Sequence, residues 1–170
     1  MFVLIISFSA CEKDDICTDE TTPRLIVEFY DISNNATIKN VLNLKVKEFG
    51  TNDFMVFNTT LDVSDENRYL FNGSKLELPL KLAATSTKYS LILNSTGTTP
   101  NEDVLEFVYT PENVYVSRAC GYKTIFELNP TPNGVIKSDV TTPESFWIQD
   151  FNILTTTIDT ENETHIKVYF

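Results

Sequence analysis

Short stretches in which apolar and polar residues alternate constrain the fold of this 170-residue chain more than any other feature of its sequence. The clearest covers residues 75–82, where every second residue is Leu and the residues between them are Lys, Glu, Pro and Lys. Because successive side chains of a strand point to opposite faces of a sheet, this period of two predicts a strand with one buried face. No segment has a sustained helical period, so the sequence predicts an all-β protein.

Similar stretches recur along the chain between turn signals such as Asn72-Gly73-Ser74. Many short strands of this kind are typical of an antiparallel β-sandwich, immunoglobulin-like or Greek-key, with about 8–10 strands. Residues 129–145 hold three Pro and one Gly and are predicted to be a loop. The predicted strands cover residues 24–31, 41–49, 54–60, 75–82, 88–94, 104–109, 113–128, 146–158 and 165–170.

An apolar fraction of 42%, with 12 Phe and 7 Tyr, is ample for a packed core. Pro79 cannot donate to a ladder, so its strand is expected at a sheet edge or beside a bulge, with Leu82 still on the inner side. The alternation places the core at Leu42, Leu44, Val46, Leu76, Leu78, Leu80, Leu91, Leu93 and Phe126.

The first ten residues are predicted to be a signal peptide of the lipoprotein type. Residues 2–8 form an apolar run that is far shorter than the roughly 20 residues a membrane span needs. Ser9-Ala10-Cys11 follows and resembles a bacterial lipobox, although Phe8 replaces the usual Leu and no basic residue precedes the run. We therefore expect the true start to lie upstream. We also expect Cys11 to carry acyl chains, palmitate among them, residues 11–22 to form an acidic tether, and residues 23–170 to form one β-sandwich domain.

The residues after Cys11 are Glu12, Lys13, Asp14 and Asp15, and they resemble the export signal of surface lipoproteins in Bacteroidetes. They predict an outer-membrane protein that is held by its lipid anchor and faces the cell exterior; the alternative is the solvated start of a linker. Lys plus Arg is 13 and Asp plus Glu is 24, a net charge of −11. Such a field disfavours nucleic acid as a partner.

Three cysteines are an odd number, but acylation of Cys11 leaves Cys17 and Cys120 as a pair. Disulfides form and persist outside the cytoplasm, so the sequence predicts a Cys17–Cys120 bridge that clamps the tether to the domain. The alternative is two free thiols.

Several blocks of the chain resemble a family of uncharacterised flavobacterial lipoproteins, a domain of unknown function. The signature is Tyr115-Val-Ser-Arg-Ala-Cys-Gly-Tyr-Lys-Thr. Residues 24–30, residues 72–80 and residues 147–170 are similar as well. The resemblance implies an outer-membrane lipoprotein with a β-rich domain, and it carries no catalytic residues.

Residues that carry chemistry are sparse. His165 is the only His and alternates with apolar residues on the side of Lys167, which predicts a surface position rather than a catalytic base. Asp159, Glu161 and Glu163 alternate in a turn and are weak Ca²⁺ candidates, since the turn lacks the Gly and final Glu of an EF-hand. No cofactor and no enzymatic activity are predicted.

The sequence favours a surface binding or structural module with a protein or glycan partner that it does not identify. One alternative is a carboxylate-based hydrolase, since acids are plentiful. Another is a sugar-binding accessory protein, in which Phe146, Trp147 and Phe151 would stack on a ring, although packing is the stronger interpretation for them. A small outer-membrane β-barrel is the most remote alternative.

Overall fold

The computed structural model describes Cys17, residues 22–140 and residues 145–170, and the regular secondary structure of these residues is almost entirely β-strand. One 3₁₀ turn, Glu66–Tyr69, opens with Asp65 as its N-cap, whose carboxylate accepts from the Asn67 backbone N–H. No helix in the described part of the chain is both long enough and apolar enough to cross a membrane. The strands are β1 (Leu25–Asp31), β2 (Asn34–Ile38), β3 (Val41–Glu48), β4 (Phe71–Gly73), β5 (Lys75–Leu78), β6 (Ser86–Leu93), β7 (Asn101–Ser117), β8 (Gly121–Leu128), β9 (Val135–Asp139), β10 (Asp150–Ile153), β11 (Thr157–Ile158) and β12 (Ile166–Tyr169).

The first sheet is built around β1. Its order is β10-β12-β1-β2, and β5 also pairs with β1. β1 and β12 are parallel, with Val27 opposite Ile166, whereas every other pair in this sheet is antiparallel. The sequence predicted antiparallel pairing throughout. The pair β1–β12 is parallel because these are the first and last strands of the described chain, and no hairpin joins them.

The second sheet is built around β7, which is 17 residues long. Its order is β11-β8-β7-β6-β3-β4, and β9 also pairs with β7. The first half of β7 lies between β6 and β9, and its second half, from Tyr109 onward, pairs with β8. β7 therefore extends from the body of the sheet into a two-stranded hairpin.

Side chains from both sheets form one hydrophobic core, which confirms the predicted β-sandwich. Phe29 and Val27 from the first sheet belong to the same buried cluster as Leu105 and Phe107 from the second. Leu93 is partly buried and packs against this cluster. The other predicted core residues that the structure buries are Leu44, Val46, Leu76, Leu78, Leu80, Leu91 and Phe126.

Leu42 was wrongly predicted as a core residue, since 62% of it is exposed. The pairing of β3 with β4 shifts register between Val41 and Leu44, and Asn43 has a left-handed φ of 53°. A bulge of this kind inserts one extra residue, so the alternation changes phase there. Val41 and Leu44 therefore both point into the core, and Leu42 points into solvent.

Three predictions of secondary structure were also wrong. Residues 54–60 form no strand, and only Phe54 makes an isolated bridge, to Lys47. Residues 129–145, predicted as a loop, contain β9. β5 ends at Leu78, before Pro79, so Leu82 lies outside the strand and is exposed.

The closing segment, residues 145–170, contributes strands to both sheets. β10 and β12, which lie within the predicted strands 146–158 and 165–170, pair with each other. Between them the chain crosses to the second sheet, where β11 places Thr157 opposite Glu127 and Ile158 opposite Phe126 on β8. This crossover ties the base of the β7–β8 hairpin to the end of the chain.

Candidate functional site

The β7–β8 hairpin carries the features that the sequence singled out. Its turn spans Ser117 to Gly121, where Gly121 has a φ of 70°, a left-handed value that suits a residue without Cβ. The Cys120 N–H donates to Ser117 Oγ at 3.1 Å, which closes the turn. The sequence predicted one strand over residues 113–128, and this turn instead divides that stretch between two antiparallel strands.

Cys17 and Cys120 come together at this turn. Their Cα atoms are 4.8 Å apart although 103 residues separate them in sequence. That spacing lies within the range that disulfides adopt, so the two form a disulfide-compatible pair. Cys17 is thereby placed at the tip of the hairpin.

Thr22 and Arg24 contact the domain near the start of β1. Thr22 Oγ1 accepts from the Thr124 N–H at 3.1 Å. Arg24, two residues later, binds Glu161 through its backbone N–H, Nε and Nη2 at 2.6–2.9 Å, and its Nη1 lies 2.6 Å from Glu77. Of the predicted tether, residues 11–22, the structure describes Cys17, which lies at the hairpin turn, and Thr22, which contacts β8.

An exposed tyrosine pair stands beside this turn. Tyr115 and Tyr122 face each other across the two strands, with ring centroids 5.5 Å apart in an edge-to-face arrangement. They are 61% and 71% exposed. Lys123 follows Tyr122, and its Nζ donates to the Asp159 carbonyl oxygen at 3.0 Å. Nothing in the alternation pattern distinguished these two tyrosines from core residues.

The predicted calcium candidates do not form a metal centre with one another in the described residues. Glu161 is engaged by Arg24, whose hydrogen bonds hold the pKa of that carboxyl below its usual value. Asp159 is bound through its backbone oxygen to Lys123, and Asp159 and Glu163 are both exposed. What this turn provides is an anchor for Arg24.

His165 was wrongly predicted at the surface, since it is fully buried. Its Nδ1 accepts from the Ile26 N–H at 2.8 Å, and the backbone N–H of His165 donates to the Ile26 carbonyl at 3.1 Å. The imidazole thus replaces a backbone group in pairing with β1. Burial lowers the pKa of His165, and the nearby carboxylates of Glu163 and Asp159 oppose this shift only in part.

Asp103 is a buried carboxylate that the sequence gave no reason to select. Its Oδ2 accepts from the Ile148 N–H at 2.7 Å, while its Oδ1 has no hydrogen-bond partner in the described part of the chain. Asp139 lies directly opposite it on β9. Burial, the largest influence, raises the pKa of Asp103 to about 6, and the charge of Asp139 adds to that effect.

The chain at residues 147–149 crosses the ends of β6, β7 and β9. Lys137 Nζ donates to the carbonyls of Ile148 and Gln149 at 2.7 and 3.0 Å, and Trp147 Nε1 donates to the Leu91 carbonyl at 3.0 Å. Trp147 and Ile148 are buried in the hydrophobic core. Trp147 is therefore unavailable as a sugar platform, and Phe151 also packs against the core.

Four shallow depressions mark the described surface, and all are open to solvent. Glu102, Asp53 and Glu77 are each the single carboxylate in the depression they line, and the fourth depression is lined by none. A hydrolase of the paired-carboxylate type needs two such groups facing one site. None of these depressions provides that arrangement.

The predicted acylation site Cys11 and the predicted export signal Glu12, Lys13, Asp14 and Asp15 lie outside the described residues.

Comparison with protein families shows what most of the remaining chain resembles. A family of unknown function, DUF6452, matches residues 43–170, well over half of the sequence. The chain belongs to this family.

The DUF6452 match confirms the resemblance to a domain of unknown function. It begins at Asn43 in β3 and includes the whole β7–β8 hairpin, so Cys120 lies inside the matched region and Cys17 before it. No curated protein matches the sequence, and no solved structure does either.

Proposed function

We propose that this DUF6452 protein is a lipoprotein of the bacterial outer membrane, as its resemblance to flavobacterial lipoproteins implies. Acylated Cys11 anchors it, residues 12–15 direct it to the cell surface, and the β-sandwich serves there as a binding or structural module. The observation that carries the proposal is the Cys17–Cys120 pair, whose Cα atoms are 4.8 Å apart.

The pair supports the proposal in two ways. A disulfide-compatible pair suits a compartment outside the cytoplasm, where disulfides persist. It also accounts for two of the three cysteines and leaves Cys11, directly after the apolar run and Ser9-Ala10, as the remaining one. Several acyl chains on Cys11 would hold the protein stably, since each buried CH₂ contributes about 0.8 kcal/mol.

A binding or structural role suits the described surface better than hydrolysis does. The depressions are shallow, and each holds at most one carboxylate. The most buried acid, Asp103, binds the backbone of Ile148 inside the fold rather than facing a cleft.

Fractionation of cells that express the full chain tests the anchor. We expect the wild type in the outer-membrane fraction and Cys11→Ala in the soluble fraction or retained with an uncleaved leader. Cys11→Ala at the same place and in the same form as the wild type would contradict the proposal.

Protease treatment of whole cells tests the address. We expect wild type to be cleaved and Lys13→Ala with Asp14→Ala to be protected. Asp19→Ala with Glu20→Ala is the matched control, because it also removes charge from the tether but leaves residues 12–15 intact. Equal cleavage of all three proteins would show that residues 12–15 carry no export signal.

A further inference from the structure

The turn of the β7–β8 hairpin is tied to the segment that precedes the domain. Cys17 follows Cys11 by six residues, and an extended chain covers at most about 3.6 Å per residue. The Cα atoms of Cys17 and Cys120 are 4.8 Å apart. Cys120 is thereby kept within roughly 26 Å of Cys11 by chain length alone.

The same turn exposes two large amphipathic rings. Tyr115 and Tyr122 are the pair that faces across the strands, and more than half of each side chain is open to solvent. Tyrosine rings concentrate where a membrane meets water, because one end of the ring is apolar and the other forms hydrogen bonds. Two of them side by side form a small apolar contact with polar hydroxyl tips.

The charge of the hairpin end also differs from that of the chain. Between Glu112 and Glu127 the only charged residues are Arg118 and Lys123, in a protein with a net charge of −11. Arg118 is exposed and Lys123 half-buried. The tether has acids of its own, so the tyrosines and the short anchor-to-turn distance carry more of the argument than charge does.

We propose that the hairpin tip, residues 115–123, is a membrane-contact surface. Tyr115 and Tyr122 enter the headgroup layer of the membrane that holds the anchor, and Arg118 and Lys123 contact its anionic groups. This inference rests on the proposed function, since it requires an acylated Cys11. It gives the domain a fixed orientation, in which the other end of β7 faces away from the membrane.

The matched reporter for that far end is Leu42, which is exposed like Tyr122. Its neighbour Asn43 accepts a hydrogen bond from Ser95 through its carbonyl oxygen. Ser95 lies two residues after Leu93, which pairs with Asn101, the first residue of β7. Leu42 is therefore near the start of β7. Tyr122 lies at the other end of that 17-residue strand, up to about 50 Å away at the usual rise per residue.

Quenching by brominated lipids tests the proposal. The variants Tyr122→Trp and Leu42→Trp are extracted from membranes in acylated form and placed in vesicles of phosphatidylethanolamine and phosphatidylglycerol, with or without brominated acyl chains. The wild type, whose only Trp is the buried Trp147, supplies the background. After the wild-type background is subtracted, we expect brominated lipid to quench the Trp at position 122 at least about twice as strongly as the Trp at position 42, because an interfacial ring lies close to the acyl chains.

Equal quenching at the two positions in acylated protein would overturn the membrane-contact surface and leave the proposed function standing. A mass spectrum without acyl chains on Cys11 would overturn both, so the two failures are distinguishable. Adding Cys17→Ser and Cys120→Ser to Tyr122→Trp should lower its quenching toward the Leu42→Trp value, with circular dichroism as the check of folding. Unchanged quenching in that folded variant would show that the cysteine pair does not hold the tip at the membrane.

Discussion

Two buried titratable side chains respond to pH in opposite directions. Asp103 binds the backbone of Ile148, and His165 binds the backbone of Ile26, so each fixes one end of a strand to a neighbouring segment. Burial disfavours the charged form of both. The pKa of Asp103 is therefore raised and that of His165 lowered, which makes their effects on stability separable.

Asp103→Asn should raise the free energy of unfolding relative to wild type, and should do so more at neutral pH than in acid. Because the pKa is about 6 in the folded state against 3.8 for an ordinary Asp, the native wild type binds the proton more tightly. Its free energy of unfolding therefore falls as pH rises from about 4 through about 6. Asn keeps an oxygen for the Ile148 N–H and carries no charge, so we expect the variant to gain about 2–3 kcal/mol on wild type between pH 4 and pH 8.

Urea unfolding of both proteins at a series of pH values measures this gain. Asp150→Asn is the control, since Asp150 is an exposed acid on β10. A difference between Asp103→Asn and wild type that does not change with pH would contradict the raised pKa.

His165→Asn should flatten the acid side of the stability profile. The folded pKa is lowered from 6.5, so the unfolded chain binds the proton more readily. Wild-type stability is then fully present above pH 6.5 and falls as pH decreases below it. Asn can still accept from the Ile26 N–H but does not titrate, although its smaller side chain lowers stability at every pH. Equal slopes for the two proteins below pH 6.5 would show that His165 is not the group responsible.

At the scale of the strand, alternation was a reliable guide only where the ladder is regular. β5 follows its predicted inward side through Leu76 and Leu78. It failed at Leu42 because the bulge at Asn43 changes the phase, and one residue of shift exchanges the two faces. It failed at β9 because Pro and Gly on either side of Val135–Asp139 hid a strand whose pairing is set by β7.

The candidate site was predictable in part. Cysteine parity selected the Cys17–Cys120 pair, which the structure brings to disulfide-compatible spacing. The binding of Arg24 to Glu161, 137 residues away, and the burial of His165 depend on how the closing segment folds against β1. Such contacts between distant segments leave no periodic trace in a single sequence.

Leu42→Ala and Leu44→Ala test the bulge. Leu44 is fully buried, and truncating a buried Leu costs about 2–5 kcal/mol. Leu42 is mostly exposed, so its truncation should cost no more than about 0.5 kcal/mol. Thermal unfolding of the two variants measures both, and a larger loss at Leu42 than at Leu44 would contradict the register of β3.

At the scale of the whole molecule, β7 runs the length of the second sheet and ends at the turn where Cys17 meets Cys120. Cys17 and Thr22 contact that hairpin at Cys120 and Thr124. Arg24 then joins both β5 and the closing turn through Glu77 and Glu161. Cys17, Thr22 and Arg24 thus each contact the domain.

Removing the pair with Cys17→Ser and Cys120→Ser should lower the free energy of unfolding by about 2–5 kcal/mol. A bridge over 103 residues restricts the unfolded chain more than a short one does. Chemical denaturation of the variant and of wild type, with and without reductant, gives the value. Wild type whose stability is unchanged by reductant would mean that the pair contributes nothing as a bridge.

The proposed function and the fold together predict that one cysteine holds the lipid and the other two hold the tether to the domain. Tryptic mapping, without reduction, of protein extracted from the membranes of cells that express it is the sharpest test of this prediction. Cleavage after Lys13, Arg24, Arg118 and Lys123 separates the three cysteines into different peptides. We expect residues 11–13 with acyl chains on Cys11, and residues 14–24 joined to residues 119–123. An unmodified Cys11 in a peptide that continues upstream, or residues 14–24 and 119–123 as separate peptides with alkylatable thiols, would contradict it.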